Sequence, residues 1–241
     1  MVLKFELTNW KQFKSIIETT EKIMDEIIFT ADNEGLRFSV LDRGHTSFFN
    51  SDFKNSYFDE FYLDDYETFG VDTKELLKVL KRGKSDDLMK VEVNNFKITI
   101  IFDGKSKRTF YINQIDIDYD APTMPQIKHP VNEEISFKEF RDTIKDCELF
   151  DERFTIETKE HIITISNDGE FGGYSGEMIT DSELENTTSH FAIEKISEVF
   201  KLAISDDMIL QVGNDIPLIL KWEDNFRMTA SYMLAPRIKQ D

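Results

Sequence analysis

The sequence predicts an α+β fold made twice over, as two similar domains, each with two short helices packed on antiparallel sheets. Three observations lead there. Strand-like alternation of apolar and polar residues fills most of the chain, broken by turn clusters. Each half carries two stretches with apolar residues at helical spacing. The chain also repeats itself once: "WKQFKSII" (10–17) answers "FKEFRDTI" (137–144), and "VLKRGKSDDLM" (79–89) answers "VFKLAISDDMI" (199–209). In the second pair the Val, the Lys and the Ser-Asp-Asp stand 120 residues apart. That period is far longer than a solenoid repeat, so two copies of one domain are expected.

In the first half, strands are expected near 2–8, 27–31, 35–41, 46–52 and 59–63. Helices are expected near 9–24 and 73–82, and further strands near 88–94, 97–103 and 107–113. The clusters "DNEG", "DRG", "NN" and "FDGK" separate them as turns. The second half follows the same order, with "RFTIETKEHIITIS" (153–166) alternating as "IIFTADNEGLRFSV" (27–40) does. Between the halves, "IDIDYDAPTMPQIKHPVNEE" holds three of the five prolines, Pro122, Pro125 and Pro130. Proline lacks the ladder donor and fixes φ, so this is an extended connector. The expected division is a first domain over 1–116, a connecting loop over 117–132 and a second domain over 133–241.

The helices show where charge is placed. At ~100° per residue, Phe13, Ile16, Ile17, Ile23 and Met24 form one stripe, and Lys11, Lys14 and Lys22 point away. In the second helix Lys74, Lys78 and Lys81 oppose Leu76, Leu77, Val79 and Leu80. In the third, Phe137, Phe140, Ile144 and Cys147 oppose Lys138, Arg141 and Lys145. In the fourth, Ile193, Ile196 and Phe200 are expected inside, with Lys195 and Lys201 outside. Solvated helix faces carry such residues anyway, but here all four do so in a chain of formal charge −18. Residues 160–194 hold eight acids and no Lys or Arg, whereas 72–84 hold five basic residues and two acids. Lysine faces of this kind suit phosphate attraction without base readout. No aromatics are interleaved among them, which argues against a single-strand stacking platform.

Composition excludes several classes. The chain has 241 residues, 40% hydrophobic, with 21 Phe, enough for a sizeable core. One cysteine allows no internal disulfide and fits a reducing intracellular compartment. The N-terminus has no apolar signal region, and no apolar run reaches the ~20 residues of a membrane span. "DIDYD" (116–120) begins like a calcium loop, but Ala121 and Ile127 stand where the loop needs Gly and Glu. A metal-dependent phosphoesterase using Asp116, Asp118 and Asp120 is the enzymatic alternative. The four histidines show no paired ligand spacing, "GEFGGYSG" (169–176) reads as a hairpin turn, and "DGKSK" lacks the upstream glycine of a phosphate loop. Cys147 lies on an apolar helix face and reads as core. No cofactor, metal or catalytic residue is expected.

The stretches "VLDRGHTSFF" (40–49), "LKVLKRGKSDD" (77–87), "RTFYINQIDID" (108–118), "NDIPLIL" (214–220) and "MLAPRI" (233–238) resemble the sliding clamps of DNA replication, the PCNA family, most closely its archaeal branch. The resemblance spans the whole chain. It implies the DNA-clamp fold and a head-to-tail homotrimeric ring around double-stranded DNA, with helices lining the hole. It implies a non-enzymatic processivity factor that tethers DNA polymerase, clamp loader, flap endonuclease and DNA ligase through PIP-box peptides. No membrane is involved; the setting is the cytoplasm and nucleoid of an archaeon, or a nucleus if the source is eukaryotic. Lys11, Lys14, Lys78, Lys81, Arg141, Lys145, Lys195 and Lys201 would then face DNA. The implied peptide pocket comprises Leu41, His45, Thr46, Phe48, Met124, Pro125, Pro217, Met233, Leu234, Ala235, Pro236 and Ile238.

On the third helix, with Lys138 at zero, Asp142, Asp146 and Glu139 fall near ~40°, ~80° and ~100°, an acidic flank beside the basic stripe. A head-to-tail ring needs two different complementary surfaces. The clamps resembled pair basic and acidic groups across subunits, which implies that Arg82, Lys84 and Arg108 meet Glu139, Asp142 and Asp146 of the next copy. Glu18, Glu194 and Glu198 are expected to dilute the DNA-facing helices. Pro122 stands where the family often has an aliphatic residue. A subunit of a heteromeric clamp, or a viral clamp-like processivity factor, is the alternative within this class.

Overall fold

The computed structural model describes residues 2–94 and 96–237. The chain divides into two compact units, the first comprising 1–124, 201–204 and 223–230, the second 125–200, 205–222 and 231–241. The split falls inside the expected connector, and two short stretches late in the sequence belong with the first unit.

The first unit contains β1 (Val2–Leu7), α1 (Lys11–Ile23), β2 (Glu26–Asp32), β3 (Gly35–Leu41), β4 (Ser47–Lys54), β5 (Glu60–Leu63), β6 (Glu67–Asp72), α2 (Thr73–Leu80), β7 (Leu88–Asn94), β8 (Lys97–Asp103) and β9 (Arg108–Asn113). One antiparallel sheet runs β5-β1-β7-β8-β9. The other runs β6-β2-β3-β4, also antiparallel. Alternation buries one face of most of these strands, as in Ile27, Phe29 and Ala31 of β2. Phe13 of α1 lies between the sheets, its ring 6.1 Å from Phe5 of β1 and 5.3 Å from Phe53 of β4. The late segments complete this unit: Gln12 donates to the Ile204 carbonyl at 3.2 Å, and Lys54 N donates to the Arg227 carbonyl at 2.8 Å.

The second unit contains β10 (Val131–Ser136), α3 (Phe137–Cys147), β11 (Arg153–Gly169), β12 (Gly172–Ala192), α4 (Ile193–Ile196) and β13 (Asp207–Val212). β14 (Leu218–Asp224) and β15 (Met228–Leu234) are divided between the two units. Here β10, β13 and β14 pair antiparallel, and β11 and β12 form one long hairpin. Its two-residue turn, Glu170–Phe171, is the hairpin expected in "GEFGGYSG"; Gly172 takes φ 158 there, which favours glycine. The ladder shifts register on both sides of Glu160, whose φ is 54, so a bulge bends the hairpin. Phe140, Ile144 and Cys147 of α3 are fully buried, and Phe137 packs edge-on against Trp222 at 5.3 Å. Two helices start on the same device: Asp72 caps α2 by accepting from Glu75 N, and Ser136 caps α3 by accepting from Glu139 N.

Three local expectations are corrected. β6 was not expected, because "ETFGVD" is short, mixes acids with Gly70 and buries only Phe69 and Val71. The fourth helix is one α turn followed by a 3-10 turn over Ser197–Val199, so Phe200 is only half-buried. Met24 likewise falls just past the end of α1 in extended backbone and is half-buried rather than part of the stripe.

The chain enters the connector beside Gly70, within the first unit. Ile115 N donates to the Gly70 carbonyl at 3.0 Å. A Cβ on Gly70 would meet the Ile115 carbonyl oxygen at 2.4 Å and the Ile117 side chain at 2.8 Å. Backbone cannot yield as a side-chain tip can, so only glycine admits this approach. Gly70→Ala is expected to cost about 1–3 kcal/mol by overpacking. Denaturant midpoints of wild type and variant check this, with limited proteolysis around 115–124 reporting release of the connector.

Candidate nucleic-acid and partner interfaces

The apolar stripes aim the cations. In α1, Phe13, Ile16, Ile17 and Ile23 are buried while Lys11 is exposed and Lys14 half-exposed. In α2, Leu76, Leu77 and Leu80 are buried, and Lys74, Lys78 and Lys81 are exposed. In α3, Arg141 is half-buried and Lys145 exposed. Lys195 of α4 is half-buried, and Lys201, beyond its end, is exposed.

These groups differ in how free they are. Lys11, Lys14 and Lys81 have no carboxylate within ion-pair distance among the described residues. Lys78 pairs with Glu75, one turn back on α2, and that hydrogen bond raises its pKa. Arg141 and Lys145 share Asp142, each at 3.6 Å. Lys195 lies 3.3 Å from Glu198 and Lys201 3.4 Å from Glu18. Lys74 is tied to Asp25 at 2.6 Å; the hydrogen bond lowers the Asp25 carboxyl below its usual range and raises the Lys74 ammonium.

Glu198 is a correction. The reading of the helix face put it outside among the lysines, but it is buried. Its Oε2 accepts from the Tyr232 hydroxyl at 3.1 Å. The switch from α to 3-10 geometry at Ser197 rotates it inward. Glu18 and Glu194 stay at the surface.

The residues of the implied peptide pocket are divided between the units. In the first, Leu41 and Phe48 face each other across the β3–β4 ladder, and His45 and Thr46 lie in the loop between. Asp42 organises that loop: its buried carboxylate accepts from Thr46 N at 2.6 Å, Ser47 N at 2.8 Å and Thr46 Oγ1 at 2.9 Å. His45, at φ 55, is presented to solvent. The connector is held here too, with Ser39 Oγ donating to the Pro122 carbonyl, and Met124 is half-buried. In the second unit Pro125 is exposed, and Pro217, Met233, Ala235 and Pro236 are half-buried. The Pro217 carbonyl lies 2.7 Å from His129 Nε2. Phe48 and Leu234, at 2% and 1% exposure, are core side chains rather than exposed walls. Ile238 lies outside the described residues.

Of the implied subunit-contact groups, Arg82 and Lys84 are exposed just beyond α2, and Glu139 and Asp146 are exposed on α3. Asp142 is already held by Arg141 and Lys145. Arg108, at the start of β9, is engaged within its own unit by Asp87 and by the Arg82 carbonyl. β9 is the outer strand of its sheet.

Asp116, Asp118 and Asp120 are all exposed. No group of three or more His, Cys, Asp or Glu among the described residues is arranged to hold a metal. Asp116 and Asp120 instead border a cleft of about 660 Å³ between the connector and the outer face of β2 and β6, with Tyr66, Phe96 and Tyr119 on its rim. Burial pushes the Cys147 thiol up to about 11, away from nucleophile chemistry. No helix among the described residues is long and apolar enough to cross a membrane.

Asp42, Gly70 and Asp87 organise these surfaces and were not singled out in the sequence as functional. Asp42 stands in the turn signal "DRG" and Asp87 in the repeated "SDD"; for Gly70 no local signal distinguishes close approach from flexibility.

Solved structures define the class. The chain superposes on PCNA from Thermococcus kodakaraensis with a TM-score of 0.91 and 20% identity, covering 98% of this chain and 100% of that one. For PCNA from Entamoeba histolytica the TM-score is 0.90 at 22% identity, covering 98% and 99%. The fold is therefore that of the DNA clamps. Residues 2–122 match the family described as "Proliferating cell nuclear antigen, N-terminal domain". The DNA polymerase sliding clamp of Methanobrevibacter smithii is 36% identical over 253 aligned positions, and that of Methanothermobacter thermautotrophicus 32% over 247, each match covering both chains in full. The chain belongs to the PCNA family of DNA polymerase sliding clamps, and its function is that of a processivity factor.

Proposed function

We propose that three copies close head to tail around duplex DNA, without catalysis of their own, and hold a polymerase at its template. The observation that carries this is the set of ammonium groups Lys11, Lys14 and Lys81, unpaired among the described residues, opposite the apolar stripes of α1 and α2 in a chain of charge −18. Such groups attract phosphates without reading bases, which suits a clamp that must slide. Lys78, Arg141, Lys145, Lys195 and Lys201 contribute less, because a neighbouring carboxylate screens each of them.

Ring closure is proposed through Arg82, Lys84 and Arg108 of one copy against Glu139, Asp142 and Asp146 of the next. The free outer edge of β9, bearing exposed Tyr111, supports this as a place where a neighbour's strand continues the sheet. Polymerase, clamp loader, flap endonuclease and DNA ligase are proposed to dock by PIP-box peptides, with Leu41, His45 and Met124 as the contribution of the first unit and Pro217 and Met233 as that of the second. In an archaeal cell the clamp would work in the cytoplasm, at the nucleoid. One solved neighbour, with a TM-score of 0.89, is a PCNA2-PCNA3 complex from Sulfolobus tokodaii, and it favours a second reading in which this chain joins a different clamp subunit.

Light scattering on the purified chain separates these readings: a trimer mass supports the homotrimer, and a monomer that assembles only with another clamp chain supports the heteromer. Trimer affinity should fall as salt rises, because partly exposed pairs are screened. Glu139→Lys with Asp146→Lys should dissociate the ring at low concentration, and mixing with Arg82→Glu/Lys84→Glu should partly restore it. Unchanged mass would remove the pairing.

Lys11→Ala/Lys14→Ala/Lys81→Ala should leave trimer mass intact and flatten the slope of log affinity against log salt by up to about 8, because three contacts are lost from each of three copies. A slope equal to wild type, measured on a short duplex, would show that these lysines do not meet phosphate.

Leu41→Ala with His45→Ala should weaken a PIP-box peptide at least ~10-fold, about 1.4 kcal/mol, by calorimetry. Equal affinity would displace the pocket from this loop.

A further inference from the structure

One buried carboxylate gathers the whole basic surface at the end of α2. Asp87 is 4% exposed and closes the turn that follows the helix. Its Oδ2 accepts from Lys84 N at 2.7 Å and from the Arg108 guanidinium. Arg108 Nη1 in turn donates to the Arg82 carbonyl at 2.6 Å, and its guanidinium lies 5.5 Å from the centre of the Phe102 ring. The Asp87 carbonyl accepts from Trp10 Nε1 at 3.1 Å, which roots the turn beside α1.

Two glycines make room for this. A Cβ on Gly104 would stand 2.2 Å from Asp87 Oδ1, and a Cβ on Gly83 would stand 2.5 Å from the Trp10 ring. Arg82 and Lys84 keep their own side chains in solvent. Asp87 thus touches Lys84 through its backbone, Arg108 directly, and Arg82 through Arg108. Arg108 Nε is buried and has no hydrogen-bond partner among the described residues. A guanidinium with an idle donor is held there by its charge partner, not by a saturated hydrogen-bond set.

We infer that Asp87 is the positioning residue of the subunit contact. It never meets the neighbouring copy. It fixes the places of the exposed Arg82 and Lys84, and of the β9 edge through Arg108, so that the acidic flank of the next copy meets a preformed surface. Preorganisation of this kind strengthens association by sparing the ordering cost at the moment of contact. The inference rests on the ring contact proposed above.

The test is a double-mutant cycle on trimer dissociation by analytical ultracentrifugation. Asp87→Asn keeps the shape and removes the charge, and should raise the dissociation constant about 10-fold or more. Asp146→Ala, on the opposite contact surface, should cost clearly less in the Asp87→Asn background than in wild type, because its cations are no longer in place. If the two effects simply multiply, Asp87 supports only the general fold and the inference is overturned. An unchanged dissociation constant in Asp87→Asn overturns it as well, while leaving the ring intact. A wild-type chain that forms no trimer would refute the ring contact itself, and with it this inference; it is seen before any variant is made. Should Asp87→Asn not fold, Gly104→Ala takes its place. The added methyl displaces the carboxylate with its charge kept, and the same loss of coupling to Asp146→Ala is expected, with multiplying effects again decisive against.

Discussion

The seating of a narrow apolar stripe, two to four residues per helix, on the inner faces of the sheets governs most of what is functional here. In α1, Phe13, Ile16 and Ile17 leave almost no surface in water. At roughly 1.5–3 kcal/mol for each such side chain, their burial outweighs any preference of the surface lysines. The rotation of the helix is therefore set by its apolar side, and the direction of Lys11 and Lys14 follows from it. The same holds for α2, where Leu76, Leu77 and Leu80 determine where Lys78 and Lys81 point. An apolar stripe that pins the helix leaves the lysine stems on its solvent side, where the proposed contact with DNA needs them.

Electrostatics then acts locally. A net charge of −18 opposes non-specific attachment of the whole surface to nucleic acid. Within that field most cations are neutralised where they stand, by Asp25, Glu75, Asp142, Glu198 or Glu18. The exposed pairs among these, unlike that of the buried Glu198, add little stability. What they change is the number of free positive charges a phosphate can meet, and so the salt dependence of binding rather than the fold. The pair of Asp87 and Arg108 differs in kind: Asp87 is buried, so removing half-buried Arg108 would leave a carboxylate shielded from water without its cation.

The proposed partner surface rests on backbone more than on side chains. Asp42 folds the β3–β4 loop by taking three donors at once, and Gly70 lets the connector lie against β6. Phe48 and Leu234 fill the interior and hold up what lies over them. Replacing those two would disturb packing before it disturbed recognition.

The chain's periodicities were legible directly, because they are local. Alternation at period two marked nearly every strand of the first unit to within one or two residues, and spacing at 3.6 marked the stripes of α1, α2 and α3. The repeat of "SDD" 120 residues apart pointed to a duplicated α+β fold, and the ordered motifs through "LAPRI" pointed to the clamp family. Other features were settled only in three dimensions. β6 forms because β2 offers it a partner, although its own sequence is a weak strand. Glu198 turns inward because the helix tightens at Ser197 and Tyr232 waits there, 34 residues on. Asp142 and Arg108 read alike as charges on a contact surface, yet one is shared along its own helix and the other is bound by a carboxylate 21 residues earlier. Spacing along the chain specifies which face a residue occupies. Whether its charge is free depends on atoms brought close by folding, and those are distant in sequence.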